Sequence, residues 1–340
     1  MIQDSVSTET SVRRRMIMSR TPLRITFVGG GTDIPSFYRE HGPGAVVSAS
    51  INKYIYVIVN KKFDSKIRVS YSVTEIVDHV DEIKHPTVRE ALKLLGINGG
   101  IEIVSISDIP SRGTGLGSSS TFIVGLLNAL HAYLGEHASP KQLAEEAVKI
   151  EREILQEPGG KQDQYMAAYG GIQMMEFFPD ERVEIKPVIM SERSREQLQN
   201  SLLLFYTGRE RSSTEIHRNQ AQGVAQKIES YRIMKDIAYR TFDAMSSERI
   251  EEVGRLMHEN WVLKKSLAEG ISDGWIDSLY DSAIAAGASG GKMIGAGGGG
   301  FLLMFADPSV QDKVMSSLSE LRRNDFRIEY QGSRIVFVGD

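Results

Sequence analysis

The chain has 340 residues, more than one average domain holds, so two domains are expected. A net charge of −4 gives no electrostatic case for nucleic acid or for an anionic membrane. No apolar run is long enough to span a bilayer, and with no cysteines the chain has no disulfide, no thiolate chemistry and no Cys-ligated metal. That pattern fits a cytoplasmic protein.

Residues 1–15 are polar, end in Arg13-Arg14-Arg15 and lack the apolar core of a signal peptide, so a flexible tail is expected there. Order begins near Met16. Arg24–Val28 and Ile51–Asn60 read as strands, with the small-residue loop Val28-Gly-Gly-Gly-Thr-Asp33 between them. Ile101–Ile106 is a further strand. It leads into Pro110-Ser-Arg-Gly-Thr-Gly-Leu-Gly-Ser-Ser-Ser-Thr121 and then into Phe122–Leu134, which reads as a buried helix from its apolar spacing.

Three glycines and three serines feeding a helix start leave backbone N–H groups open at the positive end of the helix dipole, where phosphates bind. A serine-capped turn is the plainer alternative. Neither common nucleotide loop fits. No lysine follows the glycines, and Gly113, Gly115 and Gly117 alternate strictly, unlike the dinucleotide fingerprint.

Ser139-Pro140 with Gln142 announces another helix by its capping chemistry, running to about Leu155 before Glu157-Pro158-Gly159-Gly160 breaks it. Helices are then expected over Ser191–Leu198, Glu215–Tyr231, Met234–Met245, Ser247–Leu267 and Asp273–Ala286, with a strand at Leu202–Thr207. Gly287–Gly300 carries eight glycines in fourteen residues and precedes a strand at Phe301–Phe305. A helix over Val310–Arg323 and strands over Phe326–Tyr330 and Arg334–Val338 close the chain.

Three segments together resemble the motifs of the GHMP kinases, the superfamily of galactokinase, homoserine kinase, mevalonate kinase and phosphomevalonate kinase. They are Thr21-Pro-Leu-Arg-Ile-Thr-Phe-Val-Gly-Gly-Gly-Thr-Asp33, Gly115-Leu-Gly-Ser-Ser-Ser120 and Lys292-Met-Ile-Gly-Ala-Gly-Gly-Gly-Gly-Phe301. The wording of the first two is most similar to the sugar-1-kinase branch, which includes heptose 7-phosphate kinases and the kinase part of bifunctional fucokinases. Galactokinase has a Glu-His where Gly30-Gly31 stand here, and the four residues between Pro110 and Gly115 exceed the usual three.

The resemblance implies an α+β, two-domain fold. A ribosomal-protein-like βα domain (residues 16–180) binds ATP, and a ferredoxin-like domain (residues 181–340) packs on it, with the active site in the cleft between. It implies Asp163 as the catalytic aspartate, with Arg24 beside it; alone, Asp163 would read as a turn or capping residue. Gly113, Gly115, Leu116, Gly117, Ser118, Ser119 and Ser120 would bind ATP. Ser119 and Glu151 would hold Mg²⁺. Glu151 and Glu153 lie about 200° apart around a helix axis, so only one can face the metal, and the family's spacing to Asp163 favours Glu151.

Gly30, Gly31, Thr32, Asp33, Gln164, Gly297, Gly298 and Gly299 would contact the substrate; for Asp33, an N-cap of Pro35–Glu40 is the alternative. Arg39, Lys161, Arg209 and Arg211 are candidate partners for a phosphate on the substrate. The implied activity is ATP-dependent phosphorylation of the anomeric hydroxyl of a sugar or sugar phosphate, heptose 7-phosphate foremost. A neutral-sugar 1-kinase and a sugar and ATP sensor without turnover remain as alternatives. No nucleic acid or membrane partner is expected, and the oligomeric state is not legible.

Overall fold

Two β-sheets organise the chain in a computed structural model that describes residues 16–110, 113–209 and 213–339. The strands are β1 (Ile17–Val28), β2 (Gly44–Lys61), β3 (Ile67–Ser70), β4 (Thr74–Val77), β5 (Ile101–Ser107), β6 (Ile172–Phe177) and β7 (Val183–Pro187), followed by β8 (Leu202–Tyr206), β9 (Gly290–Met293), β10 (Phe301–Phe305), β11 (Arg322–Arg323) and β12 (Arg334–Val338). The larger sheet runs β12-β1-β2-β5-β3-β4, with β6 and β7 also attached through β2. Strand β2 makes this branching possible. Ile55–Lys61 pairs with β5 and Gly44–Ala49 with β6, while β1 lies along the other edge.

The smaller, antiparallel sheet has the order β11-β8-β10-β9. With helices between β8 and β9 and between β10 and β11, this is the ferredoxin-like order. The helices are α1 (Pro35–His41), α2 (Pro86–Leu94), α3 (Ser118–Tyr133), α4 (Pro140–Val148), α5 (Gln162–Tyr169) and α6 (Glu192–Asn200), then α7 (Ser213–Gly223), α8 (Ile228–Ser246), α9 (Ile250–Lys265), α10 (Gly274–Ala285) and α11 (Gln311–Ser317). The expected α+β class holds. The expected boundary at residue 180 is not where the sheets divide, because β7 and the final strand β12 both belong to the larger sheet. Among the described residues no helix is long and apolar enough to cross a membrane.

Helix α3 is buried on nearly every side, as its unbroken apolar run requires, with Ile123, Leu126, Leu127 and Leu130 fully enclosed. Truncating any one of these leucines to alanine would cost about 2–5 kcal/mol. Both first strands start earlier than periodicity suggests. In β1 the early residues Ser19 and Thr21 are polar yet buried, because Ser19 donates to the Gly125 carbonyl at 2.7 Å and Thr21 meets the Ser333 hydroxyl at 2.8 Å. Such satisfied polar groups hide a core strand from a hydrophobicity pattern.

Further along, α8 runs unbroken through residues 231–234, where two helices were expected to part. The expected helix Val310–Arg323 stops at Ser317, since β11 is recruited as an edge strand against β8. Phe326–Tyr330 forms only the isolated bridge Ile328–Ile51. Residues 1–15, Arg112 and Arg211 lie outside the described residues.

Candidate active site

The Gly/Ser loop opens helix α3 through Gly117, an N-cap with no side chain to occupy the first turn. The first-turn N–H groups at Ser118, Ser119 and Ser120 therefore have no intrahelical acceptor and face a cleft of about 640 Å³. The alternative of a serine-capped turn does not occur, since the N-cap is Gly117 and no side chain caps the helix. Across the cleft lies the third glycine segment. Gly115 has φ +74°, and a methyl group there would collide with the Ile294 carbonyl, so the two loops meet backbone to backbone.

Arg24 on β1 and Asp163 on α5 form the floor. The Arg24 Nε and Nη2 groups donate to the two Asp163 oxygens, both at 2.7 Å, in a bidentate pair. Arg24 also donates to the Gly115 carbonyl, and its backbone N–H to the Leu116 carbonyl at 3.1 Å. The Asp163 carboxylate is thus tied to the Gly/Ser loop through one guanidinium.

Glu151 is 1% exposed. It sits in a π-helical turn, Lys149–Ile154, that follows α4, a wider geometry frequent at functional sites. Its carboxylate accepts from the Ser119 and Ser120 hydroxyls, each at 2.7 Å, and from the Gln164 amide. Glu153, two residues on, points to solvent. A carboxylate and two hydroxyls beside free phosphate-loop amides form a hard-oxygen set of the kind Mg²⁺ takes, although no cluster of three or more His, Asp or Glu suited to a metal occurs among the described residues.

Behind the Arg24–Asp163 pair lies a second, smaller pocket of about 50 Å³. Asp33 faces it, accepting from the Gly31 N–H at 2.9 Å and from the Gln162 amide at 3.2 Å. Its side chain does not cap α1, whose N-cap is Ile34. A methyl group on Gly160 would overlap the Asp33 carboxylate, so the Gly159-Gly160 break lets the two segments close on each other. Gln162 is fixed in turn by Thr26 at 2.7 Å and Ser48 at 3.1 Å.

Lys264 on α9 donates to the Gly30 carbonyl at 2.7 Å, and burial presses its pKa down to about 8. Lys292 on β9 is 1% exposed and is lowered well below the usual lysine range by burial, then by Lys264 and Arg24. His217 on α7 lines both pockets; burial, with Lys264 next, holds it at about 4, so it is neutral at pH 7.

Two family models match the chain, the GHMP kinases N terminal domain over residues 83–171 and the GHMP kinases C terminal domain over 241–324. A D-glycero-alpha-D-manno-heptose 7-phosphate kinase from Campylobacter jejuni is 31% identical over 327 residues, covering 89% of this chain and 93% of its own. The chain belongs to the GHMP kinases.

Solved structures agree on the fold of this GHMP kinase. A D-glycero-D-manno-heptose 1-phosphate kinase from Bacteroides thetaiotaomicron aligns with a TM-score of 0.79 at 24% identity, covering 95% of this chain and 100% of that one. A Lactococcus lactis galactokinase solved with galactose aligns at 0.75 and 18%, covering 94% and 95%. Membership makes the protein an ATP-using kinase of small molecules.

Within the kinase, the expected residues divide. Gly113, Gly115, Gly117, Ser118, Ser119 and Ser120 line the larger cleft, and Gly30, Gly31 and Asp33 line the smaller pocket. Leu116 is fully buried and contributes only its carbonyl. Thr32 is spent on the Gly29 and Ala45 carbonyls and lines neither pocket. Gln164 reaches Glu151, not the smaller pocket. Gly297 and Gly299 border the larger cleft, and Gly298 is tied by its N–H to the Ile271 carbonyl.

Of the expected phosphate partners, Arg39 and Lys161 converge on Glu181, and Arg209 pairs with Asp273 at 3.1 Å over the Trp275 ring. Sequence reasoning missed Thr26, Arg152, Gln162, His217, Gln220 and Lys264 and gave Lys292 no role. Thr26 and Lys292 stood inside quoted motifs and could have been found there. The helical residues carry no local signal.

Proposed function

We propose that this kinase transfers the γ-phosphoryl group of ATP to the anomeric hydroxyl of a sugar or sugar phosphate, with D-glycero-D-manno-heptose 7-phosphate the leading acceptor. The enzyme is a sugar kinase. The observation that carries the reading is that one bidentate pair, Arg24–Asp163, lines both the phosphate-loop cleft and the pocket that holds Asp33. Donor and acceptor then meet at a single carboxylate.

The first-turn amides of α3 and its serines hold the donor phosphates, and Asp33 with Gln162 orients sugar hydroxyls. Arg24 fixes Asp163 so that one oxygen faces the attacking hydroxyl. That hydroxyl oxygen forms the new bond to the γ-phosphorus as the bond to the β–γ bridging oxygen breaks. Asp163 takes the hydroxyl proton, and ADP carries off the bond's electron pair. Ser119 and Glu151 would hold Mg²⁺, which when bound neutralises charge on the phosphate oxygens. Arg152, which faces both pockets, stands beside the transferred group.

A neutral-sugar 1-kinase is the second reading, favoured by 26% identity to an Arabidopsis thaliana bifunctional fucokinase/GDP-fucose pyrophosphorylase over 86% of this chain and 30% of that longer protein. A coupled ADP-release assay over heptose 7-phosphate, fucose, galactose, mevalonate and homoserine separates the readings. Turnover is expected to be fastest with heptose 7-phosphate. No turnover on any sugar, with binding intact, leaves a sensor and overturns the enzyme reading.

A further inference from the structure

The acceptor pocket carries more positive charge than a neutral sugar calls for. Four cationic side chains, Arg24, Arg152, Lys264 and Lys292, face two carboxylates, Asp33 and Asp163. Two of the four are already engaged. Arg24 is matched to Asp163, and Arg152 donates to the Gly160 carbonyl at 3.0 Å and the Glu157 carbonyl at 3.1 Å while also facing the donor cleft.

Lys264 and Lys292 face the acceptor pocket alone. They are 3% and 1% exposed, and among the described residues neither ammonium has a carboxylate at ion-pair distance. Asp33, the carboxylate whose attraction favours both charged forms, already accepts from Gly31 and Gln162. Burial without a counter-ion disfavours the charged form of both amines, and an anion entering the pocket would restore it while accepting from up to three donors on each.

A third group points the same way. Gln220 on α7 is 0% exposed, lines this pocket, and has no partner on either amide atom. Its N–H₂ is an idle donor next to two ammonium groups. Among the described residues the other candidate cations are committed elsewhere, Arg39 and Lys161 to Glu181 and Arg209 to Asp273.

We propose that Lys264, Lys292 and Gln220 form the binding site for a phosphate monoester carried by the acceptor itself, so that the enzyme selects a sugar phosphate over the corresponding neutral sugar. The proposal rests on the reading of this pocket as the acceptor side. A dianionic group with three terminal oxygens matches two ammoniums and an amide better than a carboxylate does, because it supplies an acceptor for each donor.

The test is calorimetric titration of the intact protein, with and without ADP, using mannose, mannose 6-phosphate, mannuronate and heptose 7-phosphate as probes. The wild type is expected to bind each phosphorylated sugar at least about tenfold tighter than mannose. Lys264→Met and Lys292→Met should each weaken binding of the phosphorylated sugars roughly 10- to 100-fold more than binding of mannose. Lys264→Gln and Lys292→Gln keep a donor and most of the side chain's length, and serve if the methionine variants fold poorly.

A wild type that binds mannose 6-phosphate and heptose 7-phosphate no tighter than mannose overturns the proposal without need of any variant. Equal weakening toward phosphorylated and neutral sugars also overturns it, and equal affinity for mannuronate overturns the choice of phosphate. Binding here needs no turnover, so failure of the ADP-release assay and failure of this titration are separate results.

Discussion

The two sides of the Arg24–Asp163 pair are built from different materials. The donor side is mostly backbone and small hydroxyls, the first-turn amides of α3, Ser119, Ser120 and glycines that let two loops touch. The acceptor side is single side chains gathered from β1, α5, α7, α9 and β9. A backbone cradle can grip a phosphate whatever the rest of the protein does, so its sequence is constrained at every position. A pocket of isolated side chains can change its ligand one substitution at a time. On the proposed reading, the chemistry would be held on one side and specificity set on the other.

Breaking the shared element should have the largest effect. Asp163→Asn is expected to lower kcat roughly 10²- to 10⁴-fold with KM for ATP little changed, measured by steady-state ADP release; a rate near wild type would remove Asp163 from the chemistry. Next is the donor side alone. Gly115→Ala should destabilise the fold by about 1–3 kcal/mol and raise KM for ATP, because its methyl meets the Ile294 carbonyl at a left-handed φ. Acceptor affinity by titration should not move. If it moves as much as that for ATP, the two sides are not separable.

For the metal, Glu151→Gln should raise the Mg²⁺ needed for half-activity by about tenfold or more, and Glu153→Gln by less than twofold. Equal shifts would show that the buried carboxylate is structural. The smallest effect belongs to a group in neither pocket. His131 sits between Glu146 at 2.8 Å and Glu136 at 2.9 Å, and the Glu146 hydrogen bond raises its pKa, with burial opposing and Glu136 adding to the rise.

Because the folded-state pKa is raised above 6.5, this contribution is fully present below pH 6.5 and is lost as pH rises through the folded value. It amounts to about 1 kcal/mol or less, since Glu136 is mostly exposed. Thermal melts of wild type and His131→Gln should differ at pH 6 and converge at high pH, with kcat and KM at pH 7.5 unaltered. A difference that grows with pH would refute the sign.

The same contrast governs how much could be read from the sequence. On the proposed donor side, glycines and serines in a fixed order have few other uses, and Gly115, Gly117, Ser118, Ser119, Ser120, Arg24 and Asp163 line one cleft. Helix geometry allowed only one of Glu151 and Glu153 to face the cleft, and the family's spacing to Asp163 favoured Glu151, the buried one, although the turn that carries it is π-helical. Thr32 and Gln164 were misplaced for one reason: adjacency to a motif does not say which way a side chain points. Lys264, His217 and Gln220 were invisible, because a buried lysine or glutamine on an amphipathic helix looks like any solvated one. In the fold, β12 was foreseen as a strand, but its place beside β1, more than 300 positions away in sequence, follows from no local pattern.

On the proposed reading, one carboxylate joins a nucleotide cleft to a sugar-phosphate pocket and directs transfer to the anomeric oxygen. Proton-coupled ³¹P NMR of a reaction containing heptose 7-phosphate, ATP and Mg²⁺ tests it most directly. The expected result is a second sugar-bound phosphorus resonance coupled to the anomeric proton, appearing in step with ADP and absent with Asp163→Asn. A new phosphorus coupled to any other sugar proton, or ADP formed without a sugar bisphosphate, would contradict it.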